Sequence, residues 1–452
     1  MNIESFLLGM DSWIPLDLDC PICLKFNGLT RAYVSGRFRL IEISGHHIYQ
    51  DGIDKKLEAC GLPAQNLIVA SKHKSDDGRS VLTAHFTGNP EDAKFGGKER
   101  TLSIAYASAL KPVLMQLTKY SGEIGYEVSM EATHHGPTEV DIPMIYVEIG
   151  SGPAQWEDPR AGEAVAKAIL GFRPENHPVA LGFGGGHYAV RQSAILLNHR
   201  VTFGHNFPSY RLDSLDEALF VQAVEKSGAD FVYMDRKSMS VARKTRIGGF
   251  AEKHGLPVLR ESAIRNMDDV PWPFFRHVFA EAGKLEPDSI PHFSPALKVF
   301  PEKDPGILPG QLSSLKVDAR LIHLAWKSNA GFLLERLDTL PLIWLEKDNG
   351  TLSGFFFSGN SDAEQVLDTI VNECIKILKE HYEIEYEKGD SVLRLSEKRF
   401  NPFLAEELGV PRGPLYGKLS GGTPVEVDGK LISPEMVHET VTKELMLDSR
   451  II

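Results

Sequence analysis

The sequence predicts an α/β fold with a largely parallel sheet, followed by a separate C-terminal α+β region. Three observations lead there. Short apolar runs at 66–70, 144–149, 179–183 and 231–234 alternate with amphipathic helical patterns, as in strand–helix–strand units. The run 144–149 is continuously apolar except for Glu148, which suits a strand covered on both faces. At 452 residues the chain exceeds the roughly 250–300 residues that one core usually serves, so more than one domain is expected.

Taken in order, residues 1–45 carry a few short apolar stretches and no strong helical period. The run 66–70 reads as a buried strand entering the polar loop Ser71 to Ser80, which holds His73 and Ser75. Residues 81–87 are β-prone and end at Gly88-Asn89-Pro90, which places His85 on or beside a strand. A helix is expected over 102–119, either kinked or divided by Pro112, and a strand over 127–130. After the turn Gly150 to Pro153, Asp158 suits an N-cap and Pro159 a first helical position. Ala161, Ala164, Val165, Ala168 and Ile169 then share one helical face. A second unit runs from the strand 179–183 through Gly184-Gly185-Gly186 to His187. Ser214 and Glu217 have capping-box spacing, and Gly228 is placed to stop that helix. Sites in such folds lie at the carboxyl ends of strands, where the loops after Ile149 and Phe183 fall.

Between Pro287 and Pro309 lie six prolines among charged and glycine residues, which favours an extended linker. The expected domains are therefore 1–284, a linker 285–312, and 313–452. In the last of these, 362–382 is a strongly amphipathic helix with Val366, Ile370, Cys374 and Ile377 on one side.

Composition removes several function classes. No run approaches the roughly 18–20 apolar residues that span a bilayer, and no signal-peptide pattern opens the chain, so a cytoplasmic protein is expected. Four cysteines are too few for a disulfide framework, and Cys20-Pro21-Ile22-Cys23 lacks the second pair of a zinc knuckle. A net charge of −12 argues against broad, non-specific nucleic-acid binding. The basic stretch Arg236, Lys237, Arg243, Lys244 and Arg246 is either a solvated face or a local phosphate contact.

Chemistry concentrates in Glu131-Ala132-Thr133-His134-His135-Gly136-Pro137-Thr138. Eight of the sixteen histidines lie between His73 and His205, which makes the N-terminal domain the enzymatic half. Adjacent histidines would face opposite ways on a strand, but the turn favoured by Gly136-Pro137 lets both reach one site. A hydrolytic zinc needs about three nitrogen or carboxylate donors and an open position. Glu131, His134, His135, Glu148, His187 and His205 are the available donors, and no His-Glu-x-x-His motif ties any two of them together. Glu148 inside an apolar strand must be paired, protonated or metal-bound. His85 reads equally as an ordinary strand histidine. The triple glycine is either a tight turn or a place where backbone amides approach a ligand.

The segments 71–75, 82–89, 131–138, 147–151, 184–188 and 204–205 occur in the order seen in the archaeal and plant type of D-aminoacyl-tRNA deacylase, which the chain resembles over residues 1–265. The resemblance implies hydrolysis of the ester between a D-amino acid and the terminal ribose of tRNA. It also implies a three-layer α/β/α fold of the phosphorylase and peptidyl-tRNA hydrolase type, zinc dependence and a monomer whose partner is tRNA. Within it, His134, His135, Glu131 and His187 are the expected catalytic residues, and His134, His135, Glu148 and His205 the expected metal ligands. Ser75, Thr138, Gly185, Gly186, Arg243 and Lys244 are the expected substrate contacts; no nucleophile elbow makes Ser75 or Thr138 a nucleophile. Met1-Asn2-Ile3 resembles a point slightly inside the family's N-terminal domain, after its first strand. The alternative functions are a zinc amidohydrolase or peptidase, and a catalytically silent tRNA-binding protein. Residues 408–419 and 425–429 are similar to part of the tRNA 3′-processing ribonuclease Z family, without its histidine-rich metal motif. They read either as a tRNA-contacting element or as a structural turn, and no nuclease activity is expected.

Overall fold

The computed structural model describes residues 2–18, 28–297, 312–359, 363–387 and 391–452; the Cys20-to-Cys23 pair and 298–311 of the predicted linker lie outside them. The chain divides into two compact units, Met1–Asp268 and Asp269–Ile452.

The first unit opens with helix α1 (Asn2–Met10), whose Asn2 amide donates to the carbonyls of Trp156 and Asp158 at 3.0 and 2.6 Å. Strands β1 (Leu29–Ser35) and β2 (Phe38–Ile43) form an antiparallel hairpin where the sequence shows no clear period. Two four-stranded sheets follow. The first contains β3 (Leu67–Lys72), β4 (Val81–His85), β5 (Glu127–Met130) and β6 (Met144–Gly150), in the order β3-β6-β4-β5. It is mixed, because β4 runs antiparallel to β6 while β3 is parallel to β6 and β5 to β4. The second contains β7 (Val179–Phe183), β8 (Thr202–Phe207), β9 (Phe231–Met234) and β10 (Val258–Leu259), in the order β8-β7-β9-β10 and all parallel. The expected parallel sheet is thus half the answer. A continuous apolar run reports burial on both faces, as for β6, but says nothing of strand direction.

The helices obey local rules, with two departures. Helix α2 (Ala107–Ser121) passes through Pro112 without dividing. Pro112 deprives the Ser108 carbonyl of its intrahelical donor, and the Glu175 N–H takes that place at 2.9 Å. Helix α3 (Pro159–Gly171) starts as predicted, with the Asp158 carboxylate accepting from Arg160 N–H at 2.9 Å. Helix α4 (Val190–Asn198) follows the glycine turn. Helix α5 (Glu217–Ser227) is capped by Asp216, which accepts from Leu219 N–H at 3.0 Å, and not by Ser214; Gly228 ends it at φ 61°. Leu181, Phe183, Phe207, Phe220 and Ile247 form a core between the parallel sheet and helices α5 and α6 (Val241–Lys253).

The stretch after β5 joins the two sheets. Glu131 N–H donates to Ala84 O at 3.1 Å, Ala132 N–H to His187 O at 2.8 Å, and Thr133 N–H to Asn206 O at 2.8 Å. The reactive segment therefore lies on the seam, at the carboxyl ends of β4, β5, β7 and β8.

In the second unit, strands Ile290–Phe293, Leu342–Glu346, Leu352–Gly359, Leu312–Lys316 and Arg450–Ile451 make an antiparallel sheet in that order. Helices Ala319–Asp338 and Ala363–Leu378 accompany it, with Val366, Ile370, Cys374 and Ile377 buried as predicted. The division at Asp268 and Asp269 precedes helix Trp272–Leu285 and differs from the expected boundary near 284. Part of the predicted linker is a strand, and its Pro291 is tolerated because Ile290–Phe293 lies at the sheet's edge. Pro414–Ser420 is a short helix whose Tyr416 packs edge-on against Phe400. Among the described residues no helix is long and apolar enough to cross a membrane.

Candidate active site

Each reactive side chain comes from a strand end or the loop after it. His73 follows β3, and its N–H donates to Ile149 O at 3.0 Å. His85 closes β4, Glu131 follows β5, and Glu148 lies in β6 opposite Thr83 of β4. His187 follows the glycine turn, in which Gly184 and Gly185 adopt φ of 96° and 78°. His134 and His135 occupy the predicted turn, with His135 itself at φ 44°.

Two buried carboxylates organise the histidines. Glu131, 1% exposed, places Oε1 3.2 Å from His73 Nδ1, and Oε2 3.2 Å from His187 Nε2 and 3.6 Å from His134 Nε2. Glu148, 2% exposed, lies 3.4 Å from His85 Nε2 and 3.8 Å from His73 Nδ1. The His85 and His134 rings stack at 4.3 Å.

The backbone fixes the tautomers. His134 Nδ1–H donates to Ala132 O at 2.8 Å, His135 Nδ1–H to Gly136 O at 2.6 Å, and His85 Nδ1–H to Phe86 O at 3.2 Å. Each neutral ring then turns its Nε2 lone pair inward, and those of His134 and His85 face carboxylate oxygens, lone pair to lone pair. Only a proton or a cation between them relieves that contact. Anchoring one ring nitrogen on a carbonyl while the other points at a common centre is how metal-binding histidines are held. Both Glu131 oxygens, His73 Nε2 and His85 Nε2 are buried without an aligned hydrogen-bond partner among the described residues. Ligand atoms of His73, Glu131, His134 and His187 lie within 4.8 Å of one another, as do those of His85, His134 and His135, and those of His85, Glu131 and Glu148. These groups could hold a metal.

Burial and charge separate the protonation states. Burial pushes the Glu131 carboxyl up, but His187 and His73, with His85 and His134 behind them, hold it well below the ordinary range. Burial also works to lower His73, His85, His134 and His135. Glu131 outweighs it at His73, and Glu148 at His85, so both are raised. Burial, then His85 and His135, lowers His134 well below its usual value; burial, then His85, takes His135 down to about 4.

The cluster opens into a cleft of about 540 Å³ lined by His73, Ser75, Asp77, Arg79, His187 and Tyr188, among others. Ser75 and Gly186 line this cleft, and Gly185 lines an adjoining one. Thr138 does not. It is 1% exposed, and its hydroxyl accepts from Lys98 N–H at 2.8 Å, so it anchors a loop. Nor does His205 serve as a ligand: Nδ1 meets the Thr133 hydroxyl at 3.0 Å and Nε2 the Ser103 carbonyl at 2.9 Å, which commits both nitrogens. Arg243 is held by Asp213 at 2.9 Å, and among the described residues no hydrogen bond or ion pair joins it or Lys244 to the histidine cluster. Sequence reasoning named His73 and His85 without choosing them, and missed His47, which bridges Ser71 Oγ at 2.9 Å and Tyr146 OH at 3.2 Å. It also missed Arg79, whose guanidinium lies 4.3 Å from the Tyr188 ring centre. The available signal was the density of histidines after strand ends.

The profile of the D-aminoacyl-tRNA deacylase family matches residues 60–259. The D-aminoacyl-tRNA deacylase of Methanococcoides burtonii is 45% identical over 454 residues, spanning 99% of this chain and 94% of its own. The chain belongs to the D-aminoacyl-tRNA deacylase family. The deacylase of Methanosarcina mazei is 50% identical over 267 residues, 58% of this chain and 89% of its own. A solved structure described as a conserved protein of unknown function superposes with a TM-score of 0.54 at 36% identity, covering 58% of this chain and 92% of that one. The deacylase profile contains all the clustered histidines but His47, and both carboxylates.

Proposed function

We propose that this chain hydrolyses the ester of D-aminoacyl-tRNA, releasing a free D-amino acid and tRNA, at the Glu131 and Glu148 histidine cluster. One observation carries the assignment of the site: a buried carboxylate shared by three imidazoles from three different strand ends, at the floor of an open cleft. The donor set fits zinc, which His73, Glu131 and His187 would hold. When bound, the ion would supply Lewis acidity, lowering the pKa of water to about 7 and polarising the carbonyl.

The chain's own groups do the rest. His134, kept neutral by burial, takes a proton from the attacking water on Nε2, and Glu131 at 3.6 Å steadies the resulting imidazolium. His134 Nε2 then returns that proton to the departing ribose hydroxyl. Glu148 and His85 buttress the ring stack from within, and His135 packs edge-on against His134. Ser75, Gly186 and Tyr188 orient the ester from the cleft walls.

The finer fold reading belongs to the same proposal: three α/β/α layers of the phosphorylase and peptidyl-tRNA hydrolase type, supported by the apolar cluster joining the parallel sheet to α5 and α6. A cytoplasmic monomer acting on tRNA is carried over from the family resemblance. The deciding experiment is deacylation of D- and L-tyrosyl-tRNA, with and without chelator and added zinc. Cleavage of the D-ester alone is expected, lost on chelation and restored by zinc; equal cleavage of both esters overturns the specificity.

A further inference from the structure

Beside the histidine cleft lies a second one of about 510 Å³, which shares Gly186, Tyr188 and Val190 with it and is further lined by Gln192, Asp235 and others. Gln192 is fully buried, and its amide nitrogen donates to Gly184 O and Asn206 Oδ1, both at 3.1 Å. Two acceptors on that nitrogen fix the amide's orientation and leave Oε1 as the free atom, which no donor among the described residues meets. Asp235 Oδ1 also lacks a hydrogen-bond donor: Arg191 Nη1 stands 3.7 Å away, and Arg191 is held by Glu261 at 2.9 Å. Both side chains flank Gly185, where a Cβ would come 3.6 Å from Gln192 Oε1 and 3.9 Å from Asp235 Oδ2.

A buried acceptor without a donor costs about 1–3 kcal/mol, so two of them on side chains that line an open cleft signal a ligand that brings N–H or O–H groups. The deacylase reading, on which this inference rests, says which ligand. The scissile ester sits on the terminal ribose, so that sugar lies against the histidines, and the base attached to it reaches one sugar's width further. Mature tRNA ends in adenosine, whose exocyclic amine carries two N–H donors. We propose that the second cleft receives this terminal adenine, with its amine donating to Gln192 Oε1 and Asp235 Oδ1. Tyr188 and Val190, shared by both clefts, form the wall between ester and base.

The test uses the full chain cleaving D-tyrosyl-tRNA in the presence of adenosine or purine riboside, the same nucleoside without the amine. Adenosine is expected to compete with substrate about tenfold more strongly than purine riboside, the factor for one or two lost hydrogen bonds. Asp235→Leu removes the acceptor at nearly constant volume and is expected to raise KM about tenfold, to lower kcat far less, and to narrow the difference between the two nucleosides. Equal inhibition by both nucleosides, no competition by adenosine, or an unchanged KM in D235L overturns the adenine subsite. A wild-type chain that leaves D-tyrosyl-tRNA intact overturns the deacylase reading as well, whereas one that cleaves it without discriminating the nucleosides overturns the subsite alone.

Discussion

Glu131→Gln removes a charge and keeps a shape. The carboxylate has histidine nitrogens at 3.2 Å on each oxygen, from His73 and His187, with His134 at 3.6 Å. A neutral amide can accept through one atom only and turns an N–H toward the other imidazole. Removing the countercharge from a buried ion pair costs about 3–5 kcal/mol, and the pair with His134 forms when that ring carries a proton. At about 1.4 kcal/mol per tenfold, kcat should fall roughly 10²–10⁴-fold. Stability should change much less, because the substitution also removes the cost of burying an ion. Single-turnover deacylation of labelled D-tyrosyl-tRNA gives the first quantity and urea unfolding the second. A kcat within threefold of wild type, in a folded variant, would refute the assignment of this carboxylate to the reaction.

Other consequences are equally measurable. Removing metal from the purified protein should abolish deacylation, and stoichiometric zinc should restore it; full activity in protein shown metal-free by atomic absorption overturns the zinc reading. Thr138→Val should cost about 1–2 kcal/mol in urea unfolding, from the lost acceptor for Lys98 N–H, while leaving KM for D-tyrosyl-tRNA within twofold. Burial holds His205 down at about 4, against an ordinary value of 6.5, so below pH 6.5 the unfolded chain binds the extra proton. The stability this neutral ring confers is complete above pH 6.5 and is lost as pH falls toward 4, by about 3 kcal/mol. The stability gap between wild type and His205→Gln should narrow by that amount between pH 7 and pH 4; a constant gap overturns the assignment. Residues 1–268 alone should fold and deacylate, since the Methanosarcina mazei deacylase aligns with 58% of this chain over 89% of its own length; an inactive but folded fragment makes the second unit part of the catalyst.

What could be read from the sequence was local. Asp158 with Pro159, Gly228 and the face of Val366, Ile370, Cys374 and Ile377 all depend on neighbours a few residues apart, and each stands as predicted. The turn at His134 and His135 was legible for the same reason. Strand direction was not, because the antiparallel pairing of β4 with β6 is set by connections that apolar runs do not encode. Nor were the fates of Thr138 and His205. Both sit in motifs dense with reactive residues, yet one accepts from a loop forty positions away and the other from a hydroxyl and a carbonyl that only the folded chain brings close. Pro112 is the reverse case, a breaker neutralised by Glu175, which no helical pattern could foresee.

Because Glu131, Ala132 and Thr133 hydrogen-bond to Ala84, His187 and Asn206, the reactive stretch takes its backbone partners from strand ends of both sheets. A chain growing from its N-terminus displays His73, His85, His134 and His135 long before the segment ending at Phe207 can dock. Hydrolytic power should therefore follow the docking of the segment ending at Phe207. A nascent or partly unfolded copy would be harmless to the charged tRNAs around it, and appearance of activity would mark the moment the first unit closes.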